Sequence, residues 1–360
     1  MKKSAKCILF IIVDILLIIF VLLGILTIAE YRPKAIEKVN FMASKNSVQY
    51  SDLAEKFKNQ ESITITTWNI GYAGLDETQD FFMDGGKNVR PTSKESIQTN
   101  LQEITAFINS HNSDIWFIQE VDENSKRSYK INQIEYLAEQ TQMGVVYAPN
   151  YECVYVPFPL PTLGKVMSGV ASYSHHELQN SERIQLPVSF SWPVRIANTK
   201  RCLLVSRLDL GEGNPELVVI NVHLEAYDNN EGKIAQTKIL VDLLETEYNK
   251  GNYVIAGGDF NQSFPGYTDL RHIDEDVWIP GTLVQNITPS AKWTLTTGSN
   301  APTGRSLHAP LKDSNKEEWL YYVIDGFITS PNISVQKTET IDLKFKHSDH
   351  NPVSVEIILQ

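Results

Sequence analysis

The stretch Lys346-His347-Ser348-Asp349-His350-Asn351-Pro352 stands directly before a strand-like run, Val353-Ser354-Val355-Glu356-Ile357-Ile358. A carboxylate beside an imidazole at a strand entrance can fix the tautomer of the imidazole or share a metal ion with it. A turn rich in turn-forming residues would explain the same tripeptide without any chemistry. Three other stretches favour the chemical interpretation because they contain complementary polar groups: Thr67-Trp68-Asn69-Ile70, Phe117-Ile118-Gln119-Glu120 and Gly257-Gly258-Asp259-Phe260-Asn261.

Composition narrows the class of protein. The chain has 360 residues, of which 42% are hydrophobic and 21% charged, as in globular proteins. Its net charge of −11 argues against tight non-specific binding to nucleic-acid backbones, which requires Lys and Arg to displace counterions. A phosphate substrate bridged by a metal ion remains compatible with this charge. The three cysteines form neither a disulfide framework nor a zinc-type spacing, although Cys153 and Cys202 could pair.

The N-terminal region contains an apolar run at residues 7–29. As a helix it would be roughly 35 Å long, enough to cross a bilayer. Because Lys2, Lys3 and Lys6 precede the run, residues 1–6 are predicted to be a cytoplasmic tail and the rest of the chain to lie outside the cell membrane. A cleaved signal peptide is the alternative, but the length of the run favours a retained single-pass anchor.

The remainder is predicted to be a stalk over residues 30–60 and a folded domain over residues 61–360. The stalk is polar and charged, and the alternative is a helix packed on the domain. Residues 63–68 alternate and are β-branched, which predicts a strand; residues 96–110 have helical spacing; residues 114–118 form a short buried strand. Strands and helices continue to alternate along the chain, including a helix expected at 129–142. This order indicates an α/β sandwich, with paired sheets covered by helices.

Polar residues collect where the predicted strands end. They are Asn69, Glu120, His223, Asp259, Asn261, Asp325, Asp349 and His350. Glu120 ends an apolar strand, where a carboxylate needs a partner such as Mg²⁺ unless it is simply exposed. Asn221 and His223 share one face of a strand, although a lone histidine there is more often only hydrogen-bonded. Two glycines before Asp259 let the backbone turn and approach closely. A metal ion, an imidazole, an acid and amide donors together suit the attack of water on a phosphate ester.

This set of motifs resembles the endonuclease/exonuclease/phosphatase superfamily, which includes relatives of deoxyribonuclease I, apurinic endonucleases, inositol-polyphosphate 5-phosphatases and neutral sphingomyelinases. The matching motifs appear in the family's order: Trp68-Asn69-Ile70, Gln119-Glu120, Asn221-Val222-His223-Leu224, Gly258-Asp259-Phe260-Asn261, Ile324-Asp325-Gly326-Phe327 and Ser348-Asp349-His350. The resemblance implies a four-layered α/β/β/α sandwich (deoxyribonuclease I-like) over about residues 61–360, with the active site at one end of its two sheets.

The resemblance also implies roles for individual residues. Asn69 and Glu120 would hold a divalent metal ion, Mg²⁺ or Mn²⁺, and Asp349 would lie beside it. Asp259 would orient or activate the water, and Asn261 would contact the phosphate. His350, positioned by Asp325, would polarise the phosphate, and His223 would be a second imidazole on the phosphate side. Asn221 is expected to help bind the substrate.

Other positions are less specific. Arg305 could clamp a phosphate through its guanidinium, and Lys165 could also reach the substrate, although either could simply be solvated. Glu225 and Asp228 could line the cleft or belong to a surface loop. Apurinic endonucleases carry an acidic metal ligand two residues after the asparagine, and this chain has Gly71 there. The glycine weakens a role in DNA repair.

Three functions remain open on the sequence. The first is a membrane-anchored metal-dependent phosphodiesterase or phosphatase, acting outside the cell on a lipid head group or a small phosphoester. In it, the apolar loop at residues 156–163 could touch lipid or pack on its own domain. The second is an extracellular membrane-anchored nuclease, for which nucleic acid would be a substrate only. The third is a non-catalytic binding module. The complete polar set favours an enzyme, and the sequence predicts the first function.

Overall fold

The computed structural model describes residues 2–44, 53–228, 231–264, 277–283, 293–312, 314–316 and 319–360. The helices are α1 (Lys2–Ile28), α2 (Leu53–Lys58), α3 (Lys94–Ser110), α4 (Gln133–Thr141) and α5 (Glu231–Asn249). The strands, in chain order, are β1 (Ile36–Lys38), β2 (Ile63–Asn69), β3 (Ile115–Asp122), β4 (Gly144–Val156), β5 (Gly164–Ser174), β6 (Gln179–Gln185), β7 (Cys202–Leu208), β8 (Leu217–His223), β9 (Tyr253–Asp259), β10 (Gln262–Ser263), β11 (Gly281–Thr282), β12 (Thr294–Thr296), β13 (Gly304–Arg305), β14 (Tyr321–Tyr322), β15 (Asp325–Thr329), β16 (Ile333–Thr340) and β17 (Val353–Leu359).

Two large sheets form the centre of the molecule. One has the strand order β1-β6-β7-β8-β9-β15-β12, and the other has the order β16-β17-β2-β3-β5-β4. Apolar side chains from both sheets, such as Phe117 and Phe327, meet in one buried cluster between them. A second cluster lies beneath α3 and α4, and a third lies beneath α5. Helices therefore cover the outer faces of both sheets, and the predicted four-layered α/β/β/α sandwich is confirmed.

Each sheet contains one parallel strand pair, β2 with β3 and β8 with β9. Because the carboxyl ends of parallel strands meet at one edge, polar residues at those ends converge. Along each strand, the residues that face the other sheet recur every second position, and they change from apolar to polar toward this edge. The inward sets are Ile63, Ile65, Thr67 and Asn69 on β2, Ile115, Phe117 and Gln119 on β3, Leu217, Val219, Asn221 and His223 on β8, and Tyr253, Ile255, Gly257 and Asp259 on β9.

Helix boundaries follow local backbone chemistry. The side chain of Ser93 accepts a hydrogen bond from the backbone N–H of Ser96, and this cap begins α3 at Lys94. The helix predicted at 129–142 begins later, at Gln133, after the cap residue Asn132. Tyr129 and Lys130 have φ values of 55° and 61°, a left-handed conformation that cannot continue a right-handed helix.

The N-terminal region contacts the domain. Helix α1 includes a 23-residue span, Lys6–Ile28, with a mean hydropathy of 3.4, which is long and apolar enough to cross a membrane; an N-terminal signal sequence would meet the same criterion. The limits of the stalk and of the domain remain a prediction. Part of the segment predicted as a stalk nevertheless packs against the domain. Strand β1 pairs with β6, and Leu53 and Ala54 of α2 are buried; residues 45–52 lie outside the described residues. Cys153 and Cys202 are both free in this structure.

Candidate active site

Glu120 is directed out of the regular strand pairing by an irregularity in β3. The register between β3 and β5 shifts between Gln119 and Val121, and Glu120 has a φ of 54°. Such a bulge re-aims a side chain, and a left-handed conformation at a non-glycine residue is commonly found at functional sites. The Glu120 carboxylate accepts a hydrogen bond from Asn69 Nδ2 at 3.3 Å and lies 3.8 Å from Arg127 Nη2. The irregularity thus brings an acid from β3 to the amide at the end of β2.

Asp259 is the centre of the polar cluster. Its Oδ2 accepts a hydrogen bond from Asn69 Nδ2 at 3.0 Å and lies 3.5 Å from His223 Nε2 and 3.8 Å from His350 Nε2. Its Oδ1 accepts the backbone N–H of Asn261 at 2.8 Å. Burial, together with the charge of nearby Asp325, raises the pKa of Asp259 to about 6. The carboxyl group therefore titrates near neutral pH.

The end of β9 needs glycine to bring Asp259 into place. Gly258 has a φ of 151°, and a Cβ there would lie 2.0 Å from the carbonyl oxygen of Val222 on the neighbouring strand. Beyond it, Asn261 has a φ of 51° and donates through Nδ2 to the carbonyl of Leu224 at 2.9 Å. The close approach of β8 and β9 thus fixes the positions of Asp259 and Asn261.

His350 is paired with Asp325. Its Nδ1 lies 2.8 Å from Asp325 Oδ2, and Trp68 Nε1 donates to the backbone carbonyl of His350 at 2.9 Å. Burial opposes protonation, but the carboxylates of Asp325, Asp349 and Asp259 outweigh it and raise the pKa of His350 well above its ordinary value. The surrounding carboxylates therefore favour the imidazolium form of His350, and the contact with Asp325 fixes the orientation of the ring.

His223 is in the opposite charge state. Burial, and then the positive charges of Arg201 and His350, lower its pKa well below the ordinary value for histidine. Its Nδ1 is buried without a hydrogen-bond partner among the described residues. Both imidazoles thus lie beside the same oxygen of Asp259. The neutral ring of His223 can accept a proton, and the charged ring of His350 supplies a positive charge.

The predicted metal ligands meet at this edge. The carboxyl group of Asp349 is buried, and burial raises its pKa to about 6. Its Oδ1 occupies a space that a side chain at position 71 would fill, since a Cβ on Gly71 would lie 2.8 Å from it. Glu120 and Asp349 are hard oxygen donors of the kind that Mg²⁺ and Mn²⁺ prefer. Asn69 turns Nδ2 toward the acids while its Oδ1 accepts the N–H of Gly71 at 3.0 Å. To offer an oxygen, its amide would have to rotate.

A second set of possible ligand atoms overlaps the first. Atoms of Asp259, Asp325 and His350 all lie within 4.8 Å of one another. We interpret the contact between His350 and Asp325 as a hydrogen bond, because the high pKa of His350 keeps a proton on its ring. Glu120 and Asp349 are the alternative candidates for holding a divalent cation, because they are close enough for the charge of Glu120 to raise the pKa of Asp349.

Several other predicted site residues lie elsewhere. Asn221 shares the inward face of β8 with His223 but lies two residues earlier, further from the cleft edge of the sheet. Its Oδ1 accepts a hydrogen bond from Gln119 Nε2 at 2.8 Å, and its Nδ2 donates to the Ala171 carbonyl at 2.9 Å. It is fully buried between the sheets and does not line the cleft. Strand alternation predicted its face correctly but gave no information about its depth.

Arg305 lines the cleft, but its guanidinium is used by the protein itself. Its Nη2 donates to the carbonyls of Asp76 at 2.7 Å and Gln79 at 3.2 Å, and its Nη1 donates to the Ser306 carbonyl at 3.1 Å. The fork that was predicted to clamp a phosphate therefore holds the loop at residues 75–79, and only Nε lacks a partner among the described residues.

Unlike Arg305, the remaining loop candidates lie outside the cleft lining. Lys165 is half-buried, and its carbonyl accepts the backbone N–H of Lys126. Glu225 accepts from the Thr199 hydroxyl at 2.8 Å, and Asp228 accepts the backbone N–H of Lys233 at 2.9 Å. These two acids brace the segment between β8 and α5.

The structure adds polar groups that the sequence patterns did not reveal. Arg127 forms two hydrogen bonds with Asp122, at 3.1 and 3.0 Å, and its guanidinium lies 3.7 Å from the centre of the Tyr72 ring. Tyr227 donates to Asp84 at 2.9 Å, and burial raises the pKa of Asp84 to about 7. Apart from Asp122, these residues line the same cleft. The arginine five positions after a strand-end acid is a signal that could have indicated the first pair.

The cleft that contains the polar cluster has a volume of about 750 Å³. Its lining includes the polar residues Asn69, Glu120, Asp259 and His350, while most of the remaining lining is apolar. One wall residue, Leu23, belongs to α1. Concave, mainly apolar pockets with a few convergent polar groups are typical ligand sites.

Comparisons with known proteins identify the family of the chain. Residues 66–350 match the Endonuclease/Exonuclease/phosphatase family, and the chain belongs to this family. Its members are generally hydrolases that act on phosphoesters and use divalent metal ions. No curated protein has a significantly similar sequence.

Solved structures share the fold at low sequence identity. An endonuclease/exonuclease/phosphatase from Beutenbergia cavernae has a TM-score of 0.58 at 17% identity, covering 83% of this chain and 72% of that chain. A family protein from Leptotrichia buccalis has a TM-score of 0.54 at 17% identity, covering 82% and 99%. The human Nocturnin catalytic domain, solved with a bound sulfate anion, has a TM-score of 0.51 at 15% identity, covering 89% and 97%.

Proposed function

We propose that the protein is a divalent-metal-dependent phosphoesterase that hydrolyses a phosphate ester of a lipid head group or a small molecule. The observation that carries this proposal is the arrangement around Asp259, whose Oδ2 lies 3.5 Å from neutral His223 and 3.8 Å from positively charged His350. A carboxylate between a neutral and a charged imidazole can handle a proton while a phosphate is held nearby.

Glu120 and Asp349, with Asn69 after rotation of its amide, would hold Mg²⁺ or Mn²⁺ at the edge of the sheets. When bound, such an ion supplies positive charge to the phosphate and lowers the pKa of a coordinated water. Arg127 lies 3.8 Å from Glu120, so its positive charge reduces the negative potential of the acids both with and without a bound metal ion. Burial of Asp349 favours its neutral form without a cation, so cation binding is expected to release protons near pH 6.

Asp259 would orient the attacking water and accept its proton. The backbone N–H of Asn261 and the amide of Asn69 fix the two carboxylate oxygens of Asp259 in direction. His350 Nε2 has its closest acid contacts at 3.8 and 3.9 Å, longer than a hydrogen bond, and therefore keeps a donor for a phosphate oxygen. Asp325 holds the other ring nitrogen, which keeps Nε2 directed at the cleft.

We further propose that α1 anchors the enzyme as a single-pass helix, with the N-terminus in the cytoplasm and the catalytic domain outside the cell. The lysines before the apolar span and its hydropathy of 3.4 support this orientation. Protease added to intact cells should degrade the catalytic domain. Protection of the domain in intact cells, with digestion only after lysis, would contradict the orientation.

The activity is tested with the full-length protein in nanodiscs and bis(p-nitrophenyl) phosphate as a soluble diester. We expect turnover with Mg²⁺ or Mn²⁺, loss of turnover with EDTA, and recovery after the metal is restored. Asp259→Asn and His350→Gln should each reduce turnover by about a hundredfold or more, in line with removal of acid–base and charge-stabilising groups. Wild-type rates in these variants would reject the site. EDTA-sensitive nicking of supercoiled plasmid, tested in parallel, would favour the nuclease alternative.

A further inference from the structure

One face of the last turns of α1 packs against the catalytic domain. Leu23, Leu26, Thr27 and Glu30 recur at helical spacing and are partly or fully buried, whereas the most apolar 18-residue window of the span is 0% buried. Leu26 is only 5% exposed. A membrane helix joined by a flexible linker would not bury such a stripe, so α1 is docked on the domain.

Polar contacts fix the docked end. Trp192 Nε1 donates to the Thr27 hydroxyl at 3.2 Å. The Glu30 carboxylate, just after the helix, lies 3.1 Å from Arg195 Nε and 3.6 Å from Lys200 Nζ. The Glu30 side chain is only 2% exposed, so these are not loosely held surface ion pairs. The segment that carries Trp192, Arg195 and Lys200 is therefore tied to the end of the membrane span.

The docking sets the depth of the cleft relative to the bilayer. Leu23 lines the catalytic cleft and stands five residues before Ile28, the last residue of α1, which corresponds to about 7.5 Å along the helix axis. A span of 23 residues is about 35 Å long, and the hydrocarbon core of a bilayer is about 30 Å thick. With the span centred on the core, Leu23 lies about 5 Å inside the outer face of the hydrocarbon, in the part of the acyl region next to the head groups.

Two loops beside this wall expose large apolar side chains. We call these side chains the apolar rim; they are Phe158, Leu160, Trp192 and Val194. Leu160 and Phe158, at 87% and 68% exposure, are the most exposed large apolar side chains of the described residues outside α1. Phe158 and Val194 line the cleft together with Leu23, so the rim is continuous with the membrane helix. Exposed apolar groups at the level of the bilayer are expected to enter it.

The cleft lining combines polar and apolar groups. It contains the acids, the imidazoles and Arg127 together with apolar side chains that include Leu23, Phe158 and Val194. A phospholipid has both kinds of group, with a phosphate at one end and acyl chains at the other. A nucleic acid would instead require free cations around the mouth, but the chain has a net charge of −11, and Arg195 and Lys200 are engaged by Glu30.

We infer that α1 is a wall of the catalytic cleft as well as an anchor, and that the cleft takes a phospholipid directly from the adjacent leaflet. This inference rests on the proposed phosphoesterase function and names its substrate class. In the reaction, the oxygen of one water forms a bond to phosphorus and one P–O ester bond breaks. One proton of the water is transferred to the departing alcohol oxygen. The head-group product leaves in water, and the apolar product stays in the membrane.

The test uses the full-length protein in nanodiscs of phosphatidylcholine and phosphatidylglycerol with Mg²⁺, and measures release of choline or phosphocholine. Leu160→Asp places a charge on the rim at a residue outside the cleft lining. It should lower lipid turnover by about tenfold or more, the factor expected when burial of a leucine side chain is lost. Turnover of bis(p-nitrophenyl) phosphate should stay unchanged, which also shows that the variant is folded.

The matched control is Met42→Asp. Met42 is 45% exposed and bridges to Val145, at the opposite end of β4 from Val156, roughly 35 Å from the cleft end of that strand. It should leave both activities unchanged. Glu30→Gln weakens the docking of α1 and should lower lipid turnover selectively. Glycerophosphocholine has the same diester without acyl chains and should be hydrolysed far more slowly than the lipid.

Three results would overturn the inference. These are equal lipid turnover by Leu160→Asp and the wild type, equal turnover of glycerophosphocholine and lipid, and hydrolysis of the soluble diester or of plasmid DNA with the lipid untouched. In each of the three a phosphodiester is still cleaved with Mg²⁺, so metal-dependent phosphoester hydrolysis remains; cleavage of plasmid DNA alone would favour the nuclease alternative. If no phosphoester is hydrolysed, either with or without Mg²⁺, the proposed function is rejected, and the inference with it.

Discussion

Asp349 fills the space that a side chain at position 71 would occupy: a Cβ on Gly71 would lie 2.8 Å from Asp349 Oδ1. The glycine at this position distinguishes the chain from the apurinic endonucleases, which have an acidic metal ligand there. Here an acid from the loop before β17 reaches the same region of the cleft. The Asp349 carboxylate therefore uses space that the glycine at position 71 leaves free, and this relationship gives the first prediction.

Gly71→Ala should reduce activity strongly. The new methyl group would displace the Asp349 carboxylate, and the φ of 50° adds about 1–2 kcal/mol of strain to the folded state. We expect at least a tenfold loss of turnover, measured with the soluble diester at saturating Mg²⁺. Gly213→Ala is the matched control, because Gly213 also has a positive φ, of 81°, but no atom within 4 Å of a new Cβ. It should lose similar stability and keep its activity. Equal activities in the two variants would contradict the role of Asp349.

Asp325→Asn should move the basic limb of the pH–activity profile to lower pH. Asp325 is the nearest of the carboxylates that raise the pKa of His350. A raised histidine pKa keeps the imidazolium at higher pH, and activity that depends on it is lost as the pH rises through that pKa. The variant should therefore lose activity at a lower pH than the wild type, and its rate should fall by about tenfold or more. The measurement is kcat as a function of pH, and an unchanged basic limb would show that His350 does not act as an imidazolium.

Glu120→Gln should weaken the binding of the divalent cation. Its carboxylate lies at the irregularity of β3 beside Asn69, and the amide removes one negative charge while keeping the shape. We expect the Mg²⁺ concentration for half-maximal activity to rise by about tenfold or more. Glu123→Gln is the control, since Glu123 lies three residues further and does not line the cleft. Superimposable Mg²⁺ activation curves for the Glu120 variant and the wild type would remove Glu120 from the metal site.

Glu247→Gln should destabilise the domain in a pH-dependent manner. Burial opposes the ionisation of Glu247, but hydrogen bonds from Arg207, Lys250 and Asn252 outweigh it and lower its pKa from 4.5 to about 2. The stabilisation is therefore complete above about pH 4.5 and is lost as the pH falls toward 2. We expect the variant to lose about 2 kcal/mol at pH 7 and progressively less below pH 4.5.

Urea unfolding at pH 7 and at pH 3 measures this difference. The exposed neighbour Glu245, on the same helix, provides the control Glu245→Gln, which should change stability little at either pH. A loss of stability in Glu247→Gln that is the same at both pH values would mean that the ionised carboxylate is not the stabilising group.

The architecture could be predicted because its signals are local. Alternation in residues 63–68 and the polar ends at Asn69, Glu120 and Asp259 indicate which face of each strand is inward and which end carries chemistry. Parallel pairing of β2 with β3 and of β8 with β9 then brings those ends together.

The remaining features depend on contacts between residues that are distant in sequence, and the periodicity of apolar residues carries no information about such contacts. The pattern gave the face of Asn221 but not its depth between the sheets. Arg305 was predicted to face a ligand, but carbonyl groups of a loop more than two hundred residues away occupy its guanidinium. Hydropathy identified α1 as long and apolar enough to cross a membrane but could not show which of its residues would be buried, because Leu26 is no more apolar than its exposed neighbours. Each of these outcomes is decided by tertiary contacts.

The hydrogen bond between Gln119 and Asn221 has a consequence for how precisely the enzyme can work. Asn69 and Glu120 belong to one sheet, and Asp259 and His223 belong to the other, so the alignment of the sheets sets the distances within the site. Apolar contacts between the sheets have no preferred direction and would tolerate slippage by a fraction of a residue. Gln119 Nε2 donates to Asn221 Oδ1 at 2.8 Å in a fully buried position, so slippage would cost the free energy of a buried hydrogen bond. Loss of this hydrogen bond would therefore loosen the alignment of the two sheets and change the distances within the site well before the sheets separated.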